Sequence, residues 1–137
     1  MKEIRREVLL PISKEKMWDL LFNDNYVYRY MGCHLRIRDN NQMEYYMEKD
    51  NSEIVLAVGE ISKRIEEEYL LVKTYNPTRD YDQDYALDVE YNLEQEDKMT
   101  KLTIIQRGFE SLPDGDVVYQ ENIKGWNMVV DNLRKMF

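Results

Sequence analysis

The sequence predicts an α+β domain: a curved antiparallel sheet of six or seven strands wrapped around a long C-terminal helix, with two short helices after the first strand. Three observations predict it. Between residues 33 and 109 apolar side chains recur with a period of two, interrupted by short polar turns. Those turns are too short for parallel crossovers, so neighbouring strands run antiparallel. After residue 115 the period changes, and Tyr119, Ile123, Trp126, Val130, Leu133 and Phe137 recur at three- and four-residue spacing.

Residues 2–10 end in Val8-Leu9-Leu10 and read as a strand closed by Pro11. Ser13 is placed to cap a helix over 14–22, with Glu15 in the first turn where the helix dipole favours an acid. Met17, Trp18, Leu20, Leu21 and Phe22 supply its apolar face. Asn23-Asp24-Asn25 breaks that helix, and Tyr26 to Tyr30 reads as a second, ended near Gly32. Strands follow over 33–38, 43–48, 53–65, 69–75, 85–94 and 100–109. Asp39–Gln42, Asp50-Asn51, Glu66–Glu68 and Glu96–Lys98 supply turns, and residues 78–84 form a polar loop. Gly59, inside a long strand, is read as a bulge. Gly125, inside the last helix, costs about 1 kcal/mol relative to alanine and is read as a mark of close packing.

The 137 residues allow one domain, 1–137, and a sizeable core. A net charge of -8 argues against nucleic acid as a partner, because phosphate binding needs a basic surface. With one cysteine, Cys33, no intramolecular disulfide forms. The apolar run 8–12 is too short for a signal core or a membrane span, so a cytoplasmic location without membrane insertion is expected. Nothing in the sequence sets an oligomeric state.

The single histidine, His34, sits beside Cys33. Adjacent strand residues point to opposite faces, so the two do not form a nucleophile pair. One His and one Cys do not complete a zinc site. Asp80, Asp82 and Asp84 lack the glycine and later glutamate of a calcium loop, and are read as a solvated loop. No catalytic set, metal or cofactor is therefore expected. The inward faces of the strands and helix supply the candidate ligand wall: Met43, Tyr45, Met47, Val89, Tyr91, Ile104, Gln106, Trp126 and Val130. For any one of these, ordinary core packing is the competing reading. Gln106 is polar on an apolar face, so it either bonds a neighbouring tyrosine or water, or orients a ligand.

The element order resembles the helix-grip superfamily called SRPBCC, which includes START lipid-transfer domains and polyketide cyclases. Within it, residues 4–21, the last strand from Thr100 to Gly108-Phe109, and Gly125-Trp126 with Leu133 are similar to the single-domain family named after the C-terminal domain of the activator of heat-shock protein 90 ATPase. The chain departs from that pattern in having Ser62-Lys63-Arg64 where a proline is common, and in its 11 tyrosines and 8 methionines. The resemblance implies a cavity for a lipid- or polyketide-like molecule, and it implies that the second short helix closes one end of it, which makes Tyr26 and Tyr30 the candidate gate, with aromatic packing the alternative. Three function classes follow: a binding protein for a hydrophobic small molecule, which leads; a protein-interaction module of chaperone-cofactor or stress-accessory type; and a cyclase- or hydrolase-like enzyme, for which His34 and Tyr45 are the candidate groups.

Overall fold

A computed structural model describes residues 2–38, 41–77 and 86–137. The expected turn at Asp39-Asn40, the acidic loop with Asp80, Asp82 and Asp84, and the strand start at Tyr85 lie outside the described residues.

The elements follow the predicted order: β1 (Glu3–Leu10), α1 (Lys14–Phe22), α2 (Asp24–Met31), β2 (His34–Arg38), β3 (Gln42–Lys49), β4 (Ser52–Ile65), β5 (Tyr69–Tyr75), β6 (Leu87–Glu96), β7 (Met99–Arg107) and α3 (Gly115–Lys135), with a short 3-10 turn at Phe109–Ser111 before α3. All seven strands form one antiparallel sheet in the order β1-β7-β6-β5-β4-β3-β2. The first strand thus closes against the last, and α3 lies on the concave face, as in the helix-grip fold.

Local chemistry explains the joints. Ser13 accepts from the Lys16 amide at 3.1 Å and starts α1. Asn23 does more than break that helix: its backbone N–H closes α1 on Asp19 O, and its side chain caps α2 by accepting from Asn25 N at 3.1 Å. Asp50 and Asn51 both adopt positive φ (51° and 62°), the geometry of a tight two-residue hairpin between Lys49 and Ser52. The last helix starts at Gly115, before the apolar stripe, because a first turn needs no buried residue and Asp116 suits its dipole.

The register lays the inner face out in rows. Val72, Val89, Gln106 and Ile4 stand side by side across β5, β6, β7 and β1, and Leu70, Tyr91, Ile104 and Arg6 form the next row. The opposite face is laced with ion pairs, including Arg107–Glu90 at 2.8 Å and Arg36 with Glu44 and Glu53, although Thr103 and Ile105 on β7 are buried there.

Two glycine readings need correction. Gly59 stays in register with Met43 and Thr74, so it is not a bulge; a Cβ there would stand 2.5 Å from Val72 Cγ1. The bulges of β4 fall at Leu56 and Ser62, the residues skipped where the register shifts. Gly125 marks no close packing, since a Cβ there would meet nothing within 4 Å.

Candidate functional site

The inward-facing residues divide into a closed part and an open part. Met43, Val89, Tyr91, Ile104, Trp126 and Val130 join one continuous buried cluster, and Tyr45 is half-buried against it. Tyr91 fits edge-on between Phe22 and Trp126, with ring centroids at 5.3 and 6.3 Å. Burial pushes the Tyr91 phenol up to about 12, and burial first, then the neighbouring Tyr91 and Tyr30, holds Tyr45 well above its ordinary value. These phenols are neutral throughout the physiological range.

Met47 does not belong to this wall. It pairs with Ile54 near the β3–β4 turn, beyond the reach of α3, and is 42% exposed. Tyr30 is not a gate residue: it is fully buried, and its hydroxyl donates to Leu21 O at 2.7 Å. That bond ties α2 to α1. Tyr26 is half-buried against the core, with the Lys16 ammonium 5.5 Å from its ring centre.

His34 and Tyr45 are not brought together. His34 is stacked between Tyr28 and Tyr46, with Nδ1 3.3 Å from Asp24 Oδ1, whereas Tyr45 faces the interior beside Tyr91. Cys33 is buried, and burial followed by the nearby Asp24 raises its thiol to about 11. No group of three or more potential metal-ligating side chains occurs among the described residues.

The open part lies under the N-terminal half of α3. A cavity of about 200 Å³ is bounded by Leu56, Ala57, Thr74, Tyr75, Asn76, Leu87, Gln106, Leu112, Val118, Glu121 and Asn122. Leu56 and Ala57 are neighbours in sequence yet line the same space. Strict alternation forbids that, and the bulge at Leu56 permits it. Sequence periodicity carries no signal for such a bulge, so the β4 wall is absent from the expected set. Val118 lies one residue before the first position of the apolar stripe, and Thr74 and Leu87 face each other across β5 and β6 in the row beyond Val72 and Val89.

Gln106 is the one expected residue that reaches this cavity directly. Its protein partner is a tryptophan and not a tyrosine: the Trp126 indole Nε1 donates to Gln106 Oε1 at 2.6 Å. An indole nitrogen can only donate, so this contact fixes which end of the amide faces it. The oxygen is turned to Trp126, which leaves the NH₂ group as the donor Gln106 can offer. Thr74 Oγ1 donates to Leu87 O at 3.2 Å, and Asn122 Nδ2 donates to Val118 O at 2.8 Å. The cavity therefore sets the aliphatic Leu56, Ala57, Leu87, Leu112 and Val118 against the polar Thr74, Tyr75, Asn76, Gln106, Glu121 and Asn122, so its lining is amphipathic.

No helix among the described residues is long and apolar enough to cross a membrane. No curated protein is significantly similar to the chain in sequence. Solved structures share its fold at low identity. Protein MLL2253 from Mesorhizobium loti superposes with a TM-score of 0.76 at 16% identity, covering 98% of this chain and 95% of that one. ChR145 from Cytophaga hutchinsonii gives 0.73 at 17% identity, covering 99% and 93%. PFC0360w from Plasmodium falciparum, an HSP90 activator, gives 0.61 at 11% identity, covering 79% and 74%. Together with the strand order and the gripped helix, the match of residues 11–137 to the family described as Activator of Hsp90 ATPase homolog 1-like protein shows that the chain belongs to that family.

Proposed function

We propose that the chain is a non-catalytic binding protein for a hydrophobic or amphipathic small molecule, held between the sheet and α3. The observation that supports this reading best is the fixed amide of Gln106. A buried glutamine on an apolar face is expensive unless both ends of its amide find partners. Trp126 serves the oxygen, and the NH₂ group borders a cavity. A ligand carbonyl, hydroxyl or ether oxygen would complete the set. At about 200 Å³ the cavity is smaller than the roughly 300–1,000 Å³ usual for drug-sized ligands, so it suits a small head group.

The test is native mass spectrometry of gently purified protein against its denatured mass. The expected result is a reproducible excess mass that disappears on denaturation and is absent from Val118→Phe, which fills the cavity. A ligand at 100 times its Kd stabilises the fold by about 2.7 kcal/mol, so adding the released compound back should raise Tm in the wild type alone. A chain with no excess mass and no thermal response favours the interaction-module reading instead. For that reading the exposed Met47–Ile54 pair, at 42% and 39%, is the first surface to mutate.

A further inference from the structure

The side of α3 away from the sheet carries an ordered face of its own. Val117, Glu121, Lys124, Met128, Asp131 and Lys135 recur at four- and three-residue spacing, and all are exposed. Two of them are acidic and two basic, so this face is neutral on a chain of net charge -8. Two copies of the chain can therefore meet here without the like-charge repulsion that so acidic a protein otherwise imposes on its own association.

A groove of about 270 Å³ runs along the face, with Met31 of α2 on one side and Met128 on the other. Gly125 lines it, and a Cβ at this position would meet nothing within 4 Å. A glycine in such a place lets an incoming side chain reach the helix backbone. Asn132 Nδ2 donates to Tyr30 O at 3.0 Å, which ties α3 to α2 and holds the groove in shape. Met128 is 48% exposed, three residues on from the glycine, and its flexible thioether adapts to an irregular surface.

The face is complementary to itself. By helical geometry Lys124 and Asp131 lie on one edge of it, Gly125 on the other, and Met128 between them. A two-fold axis level with Asn127 sets two copies of α3 antiparallel, so that what one copy offers the other receives. It brings Met128 of each copy within one residue, about 1.5 Å along the axis, of the level of Gly125 in the other. The same axis brings Lys124 within one residue of the level of Asp131 in the other copy, on the same edge of the pair. Within its own helix Asp131 has Arg134 at 3.9 Å, and both side chains are well exposed, so that pairing is too weak to hold the carboxylate back.

We infer that the outer face of α3 is an interface between two copies of this chain, packed antiparallel. Met128 of each copy sits in the groove over Gly125 of the other, and Lys124 of each pairs with Asp131 of the other. A single helix face buries less than the roughly 1,200–2,000 Å² of stable complexes, so the dimer is reversible and concentration-dependent. The inference is independent of the ligand reading, because the cavity at Gln106 takes no part in it.

The experiment is sedimentation equilibrium from about 10 μM to about 1 mM, the range of a weak complex. It compares the wild type, Gly125→Leu, Lys124→Glu, Asp131→Lys and the variant carrying both charge changes. Leucine is a better helix former than glycine, and circular dichroism checks that every variant is folded. The wild type should show a monomer–dimer equilibrium, and Gly125→Leu, which fills the groove, should abolish it. Each single charge change acts twice across the two-fold and should weaken the dimer about tenfold. The double change exchanges the signs within each pair and should restore the wild-type Kd. A wild type that stays monomeric at the highest concentration overturns the inference and leaves the face to a different protein. A dimer that Gly125→Leu leaves intact lies elsewhere on the surface and overturns it too. Loss of the dimer in Gly125→Leu without rescue by the double change overturns the antiparallel pairing of Lys124 with Asp131.

Discussion

The two halves of α3 cover the same sheet in different ways. The C-terminal half lays Val129, Val130 and Leu133 into a continuous apolar cluster with Val8, Leu20 and Leu102, and Leu133 is 0% exposed. The N-terminal half lies over Thr74, Leu87 and Gln106 and leaves a cavity. The difference follows from the side chains on the concave face. Aliphatic groups close on one another without regard to direction. A buried amide or hydroxyl needs partners at set angles, and two layers of such groups cannot interdigitate as freely. The cavity begins where the polar residues begin.

The largest test of that contrast is truncation at each end. Leu133→Ala should cost about 2–5 kcal/mol, read as a lower denaturant midpoint, because the filled half cannot collapse around the void. Val118→Ala, beside a space that already exists, should cost less than half as much. Equal losses would mean that the two halves are packed alike.

The filled half was legible in the sequence, and the open half was not. Alternation on β6 and the stripe on α3 place Val89, Tyr91, Trp126 and Val130 on facing surfaces, and they do meet there. The same pattern cannot tell a core wall from a ligand wall, since both need inward apolar residues. What separates them is a bulge at Leu56, a register row ending at Thr74, and the space over Gly125. Each depends on neighbours distant in the chain. Gln106 shows the boundary clearly. Its polarity on an apolar face is visible from alternation, but its partner lies twenty residues away on another element. The two glycines were misread for the same reason: a glycine marks a backbone need without saying whether the neighbour is a side chain, as Val72 is for Gly59, or open space, as at Gly125.

The second test removes the polar bridge between the two halves. Gln106→Leu strips Trp126 of its acceptor and should cost about 1–3 kcal/mol, the penalty of a buried unpaired donor. Trp126→Phe strips the donor in turn. If the bridge is the cause, the double variant loses less than the two single losses added together, and the cycle returns a positive coupling between the two side chains. Simple additivity would show that each residue acts through its bulk alone.

The smallest effect has the opposite sign. Gly125→Ala places a methyl group in open space and removes the helix penalty of glycine, so it should stabilise the fold by up to about 1 kcal/mol. For a chain of this size that is a rise in Tm of roughly 3–6 °C. Gly59→Ala supplies the control, because its methyl would meet Val72 Cγ1 at 2.5 Å and should lower Tm. If alanine at 125 instead destabilises the protein, α3 packs more tightly at that turn than the open space around Gly125 implies.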